Sequence, residues 1–91
     1  MSRYTVLIDG EAGAYGAVVP DMPGCTAMGD TLDAAIAGVA DAMRDWAEVV
    51  EGRGEAVPAP RSIAALRADA EVAAALADGA KLSSAMLVCA S

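Results

Sequence analysis

The chain has 91 residues, with 13 acidic side chains against 6 basic ones, no histidine and no phenylalanine, and 56% of it is hydrophobic. That apolar content excludes a disordered chain, and the length predicts a single domain, residues 1–91, around one modest core. The formal charge of -7 repels phosphate, which argues against direct nucleic-acid binding and favours encounter with a basic partner.

Much of the apolar fraction is alanine, so core volume must come from Leu, Ile, Val, Met, Trp46 and two Tyr. Alanine buries little area, and at ~25 cal/mol per Å² such a core stabilises the fold only modestly. Self-association adds burial, so a homo-oligomer (dimer or tetramer) is expected. Cys25 and Cys89 do not form a metal-ligand spacing, and the sequence carries no cofactor motif. Met1-Ser2-Arg3-Tyr4 lacks the apolar stretch of a signal peptide. No run approaches the ~18 apolar residues of a membrane span. The expectation is a cytoplasmic protein with reduced thiols.

Tyr4 to Ile8 is a β-branched and aromatic run and predicts a strand. Asp9 to Gly13 has turn chemistry, with two glycines able to take positive φ, and Tyr15 to Val19 completes a hairpin. Pro20-Asp21-Met22-Pro23-Gly24 cannot continue a ladder, so a tight connection leads to a short third strand, Cys25 to Met28, which Gly29 closes.

Asp30-Thr31 supplies a helix N-cap. Behind it Leu32, Ala35 or Ile36, Val39, Met43, Trp46 or Ala47, and Val50 recur at spacings of three and four. That spacing predicts an amphipathic helix of about six turns, ended by Gly52 and Gly54. Its expected core residues are Leu32, Ile36, Val39, Met43, Trp46 and Val50; its polar face carries Asp33, Asp41, Arg44, Asp45, Glu48 and Glu51. Pro58-Ala59-Pro60 stiffens a loop, Ser62 caps a weaker helical stretch from Ile63 to Ala77, and Asp69 is placed to interrupt that stretch. Leu82 to Cys89 reads as a last strand. The predicted class is α+β, in the order β-β-β-α-(α)-β. Three strands form an antiparallel meander, the helices pack on one face, and a returning final strand, reached through helices, can lie parallel to an earlier one by a right-handed crossover.

The order Tyr15, Pro20-Asp21-Met22-Pro23-Gly24-Cys25, Gly29-Asp30-Thr31-Leu32 with Ala35, then the helix-ending run from Glu51 to Pro60, resembles the HicB antitoxin family over residues 4 to 61. The resemblance implies a degraded ribonuclease H-like fold. It also implies a partner, a small basic HicA-type toxin that cleaves mRNA and is silenced when the antitoxin covers its active-site surface. Some members of that family add a DNA-binding module. Beyond Arg61 this chain has only Arg67 and Lys81 as basic residues, and nothing there is similar to such a module. Ala34 also stands where many members place a capping glutamate.

The residues argue against chemistry. Ribonuclease H-type catalysis needs carboxylates converging on metal ions, whereas Asp9 lies at a strand end and Asp33, Asp41 and Asp45 lie on the helix's polar face. Without histidine, general acid-base work near neutrality lacks its usual agent. Cys25 and Cys89 read as small buried hydrophobes. Pro20, Pro23, Gly24, Cys25, Gly29, Asp30 and Thr31 form the structural motif of the turns. Asp9, Glu11 and Asp21 are the candidate contacts with a basic partner, although Asp21 in a turn also serves its own backbone. The alternative is an orphan domain of this fold that binds a small ligand or acts as a structural oligomer.

Overall fold

A computed structural model describes residues 2–87. Four strands form one antiparallel sheet in the order β3-β2-β1-β4: β1 (Ser2–Glu11), β2 (Ala14–Val18), β3 (Thr26–Gly29) and β4 (Lys81–Leu87). Between β3 and β4 lie α1 (Leu32–Gly52), α2 (Ile63–Ala68) and α3 (Ala70–Ala77).

The strand signals hold, with shifted ends. β1 continues past Ile8 because Gly10, at φ +93°, lets the ladder run on to Glu11 opposite Ala14, and the turn shrinks to Ala12 and Gly13. β3 starts at Thr26 rather than Cys25, because the Cys25 backbone is spent within the preceding loop. Its N–H donates to the Met22 carbonyl at 2.9 Å, and its carbonyl accepts from Val19 N–H at 3.1 Å. The Met22 side chain in that loop is fully buried, anchoring the Pro20–Gly24 turn in the core.

The last strand is antiparallel to β1, not parallel to any strand. Lys81 pairs with Ile8 and Leu87 with Ser2, so the helices return the chain to the hairpin end of β1. Val88 to Ser91, including Cys89, lie outside the described residues.

The helices also occupy both faces, not one. Tyr4, Val6 and Ile8 alternate toward α1, where they join Ala17, Val19, Ala85, Val39 and Met43 in the main core. Leu7 points the other way and forms a second cluster with Leu66 of α2 and Val72 of α3. A strand apolar at consecutive positions needs cover on both sides. We call the α1 side the inner face and the other the outer face.

On α1 the buried stripe is Ala35, Val39, Met43, Ala47 and Val50. Ile36 and Trp46 flank it, partly buried. Leu32, expected in the core, is 46% exposed, since it opens the helix before the stripe crosses the sheet. Thr31 is the N-cap, its Oγ1 accepting from Ala34 N–H at 3.0 Å. Gly29 brings strand and helix together: a Cβ there would lie 2.5 Å from the Ala35 nitrogen. At the far end Gly54 takes φ +79°, and Glu55 N–H bonds to the Val50 carbonyl at 3.1 Å.

Candidate functional site

The covering of the outer face is incomplete. α2 and α3 shield Leu7 and Leu82, but the cross-strand rows Leu7–Val18–Thr26 and Asp9–Gly16–Met28 run out from under them. Val18 is 39% exposed and Met28 75%, large values for apolar strand residues. Where the sheet meets α3 there is a groove of about 240 Å³ with Leu7, Val18, Val72 and Ala75 on its walls. Asp9, Glu71, Asp69 and Arg61 line it as well.

The charged groups there differ in their engagements. Asp69 joins the two short helices: its Oδ1 accepts from the N–H of Glu71 at 2.9 Å and of Val72 at 3.3 Å, capping α3. Its Oδ2 meets Arg61 at 3.2 Å. These bonds, first that from Val72, hold its carboxyl below the ordinary carboxylate range. Arg61 also binds Asp21, through its backbone N–H at 3.1 Å and through Nε. Hydrogen bonding to the two carboxylates pushes the guanidinium's pKa up.

Asp9 and Glu71 are exposed, and neither enters a side-chain hydrogen bond or ion pair among the described residues. Asp9 lies over Gly16 of β2, where a Cβ would come 2.7 Å from its Oδ1. Glycine at that position leaves the carboxylate its room.

Of the three acidic residues singled out in the sequence, Asp9 therefore borders the groove and Glu11 stands exposed at the end of β1. Asp21 is only 7% exposed, its carboxylate taken by Arg61. Glu71 and Arg61 were not singled out, because the alanine-rich stretch around Glu71 gives no sign of the face it presents.

A second, wider concavity of about 600 Å³ lies between the Pro23–Thr26 segment and the C-terminal half of α1. Trp46 stands in it, its indole N–H donating to the Pro23 carbonyl at 3.1 Å. Cys25 is buried beside it, and burial pushes its thiol pKa up. Among the described residues no three His, Cys, Asp or Glu side chains gather where they could hold a metal ion. Among them, too, no helix is long and apolar enough to cross a membrane.

A family model described as the HicB-like antitoxin of bacterial toxin-antitoxin systems matches residues 4–88. The chain belongs to that family. Solved HicB structures share its fold. The N-terminal domain of Burkholderia pseudomallei antitoxin HicB is 26% identical with a TM-score of 0.72, covering 94% of this chain and 98% of that one. The Burkholderia pseudomallei antitoxin HicB is 28% identical with a TM-score of 0.73, over 94% of this chain. This chain spans 63% of that protein's length. A chain of the HicA3 and HicB3 toxin-antitoxin complex, 19% identical, has the same fold, with a TM-score of 0.71 over 92% of this chain and 95% of that one. No curated protein matches. In this HicB-like chain the Pro20–Cys25 turn and the Gly29–Thr31 cap work as structural devices. The first seats Met22 and Asp21, the second lets β3 meet α1 closely.

Proposed function

We propose that this chain neutralises a small basic HicA-type RNA-cleaving toxin by covering its active-site surface, in the cytoplasm and without chemistry of its own. Membership of the HicB-like antitoxin family carries this reading. The similar fold of a chain in the HicA3 and HicB3 complex supports it. So does the charge of -7, which favours a basic partner and disfavours nucleic acid. The small-ligand alternative is less well supported. The walls of the wider concavity carry Asp45, Glu55 and Arg53, of opposite sign, and its aromatic N–H already has its acceptor.

The test is co-expression with the small basic protein encoded in the neighbouring reading frame, followed by sizing and an RNA-cleavage assay. A stable complex in which cleavage is suppressed is expected. A partner that elutes separately and cleaves unhindered rejects the reading.

A further inference from the structure

We propose that the groove between α3 and the outer face of the sheet is the docking point for a lysine or arginine side chain of the toxin, with the strip from Val18 to Met28 as the apolar seat beside it. This rests on the antitoxin reading and names the surface that serves it.

The groove's chemistry selects a long-stemmed cation. Its walls, Leu7, Val18, Val72 and Ala75, are apolar and suit a methylene stem. Beside them stand two carboxylates, Asp9 and Glu71, that no described cation engages; Arg61, the nearby positive group, is held by Asp21 and Asp69. Glu71 has a local role in the first turn of α3, where a negative charge suits the helix dipole. Asp9 has none. Aspartate is disfavoured in strands, yet here it continues the outer-face row after Leu7, opposite a glycine that makes room for it.

Size points to a macromolecular partner. At about 240 Å³ the groove falls below the ~300–1,000 Å³ of small-molecule pockets and suits a protruding side chain. Val18 and Met28 next to it expose apolar surface that a protein partner would cover, and methionine is enriched at such interfaces.

The experiment measures toxin binding to the full chain by surface plasmon resonance, with melting temperatures confirming that each variant folds. Asp9→Asn and Glu71→Gln are each expected to weaken binding about fivefold, and the double variant Asp9→Lys/Glu71→Lys about a hundredfold. Glu48→Gln, on the exposed side of α1, should stay within about twofold. A photo-crosslinker placed at Met28 should capture the toxin. If the wild-type chain binds tightly and the groove variants bind equally well, the groove is not the docking point, while the antitoxin reading stands. If the wild-type chain does not bind at all, both fall. If Met28→Lys dissolves a homo-oligomer of the free chain and leaves toxin binding intact, the face belongs to a second copy and the proposal is overturned.

Discussion

Asp21 and Arg61, 40 residues apart in sequence, clasp each other through the Arg61 backbone N–H and its Nε. The aspartate side chain is 3% exposed and the arginine side chain 39%, so the pair seals the Pro20–Gly24 turn against the start of α2. Arg61 reaches on to Asp69, tying the same turn to α3. Arg61 and Asp69 also line the outer-face groove.

Removing the buried partner should therefore loosen both ends. Asp21→Ala strips two charge-assisted hydrogen bonds, worth about 1.5–3 kcal/mol, and should lower the melting temperature by on the order of 10 °C. Asp21→Asn keeps the shape but not the charge and should fall between that variant and wild type. Thermal unfolding followed by circular dichroism measures both. An Asp21→Ala protein that melts like wild type would show that the clasp does not stabilise the fold.

Acid should act on the other end of the clasp. The Asp69 carboxyl is held low by the amides of Val72 and Glu71 and by Arg61. A depressed carboxyl stabilises the folded state above its unfolded value. That stabilisation is lost as pH falls below about 4 and through the lower folded value. Arg61, raised further from neutrality, does not titrate in that window. The amide resonances of Glu71 and Val72 should shift together at a pH below the ordinary carboxylate midpoint, and exchange at the start of α3 should rise there. Asp69→Asn retains a side-chain oxygen for the cap but no charge for Arg61, so it should abolish that titration. A midpoint at the ordinary value would refute the assigned hydrogen bonds.

The Cys25 thiol is predicted to be inert in the native protein. It is 3% exposed, and burial raises its pKa, so little thiolate is present and less is reachable. Alkylation at mild alkaline pH, mapped by mass spectrometry, should leave the Cys25 peptide unmodified until denaturant is added. Rapid native labelling of that peptide would mean the Pro20–Cys25 turn opens readily.

Local chemistry was the legible part of the fold. Thr31, Ser62 and Asp69 cap the three helices, as their side chains and following residues suggest, and the spacing of Val39, Met43 and Val50 marks the buried stripe of α1. Long-range choices were not written locally. Leu7 by itself does not reveal that a second layer will cover it, and only the consecutive apolar residues Val6, Leu7 and Ile8 hint at burial on both faces. Leu32 opens α1 before the stripe crosses the sheet, so the buried stripe begins at Ala35, a small residue that lets the helix lie close to the sheet. In the candidate site Asp9 could be picked out as an exposed acid near a turn. Its neighbours Glu71 and Val72 come from an alanine-rich segment whose weak periodicity does not say which side meets the sheet. The choice of Arg61 by Asp21 among several cations is a product of tertiary packing alone.

Two glycines on either side of α1 should respond to alanine in opposite directions. At Gly29 an added Cβ would sit 2.5 Å from the Ala35 nitrogen and 2.8 Å from the Ala34 carbonyl carbon. Both are backbone atoms at the start of a capped helix, so neither can turn aside as a flexible side chain would. Gly29→Ala must push β3 and α1 apart, a strain of about 1–3 kcal/mol, and should lower the melting temperature accordingly. Gly52, the last residue of α1, has nothing within 4 Å of the corresponding position, and its φ is not positive. Gly52→Ala should stabilise by up to about 1 kcal/mol, through higher helix propensity and a less flexible unfolded chain. Paired denaturant titrations read both changes against one baseline. If Gly29→Ala is as stable as wild type, strand and helix do not approach as closely as the backbone places them, and the explanation given for the Gly29-Asp30-Thr31 motif fails with it.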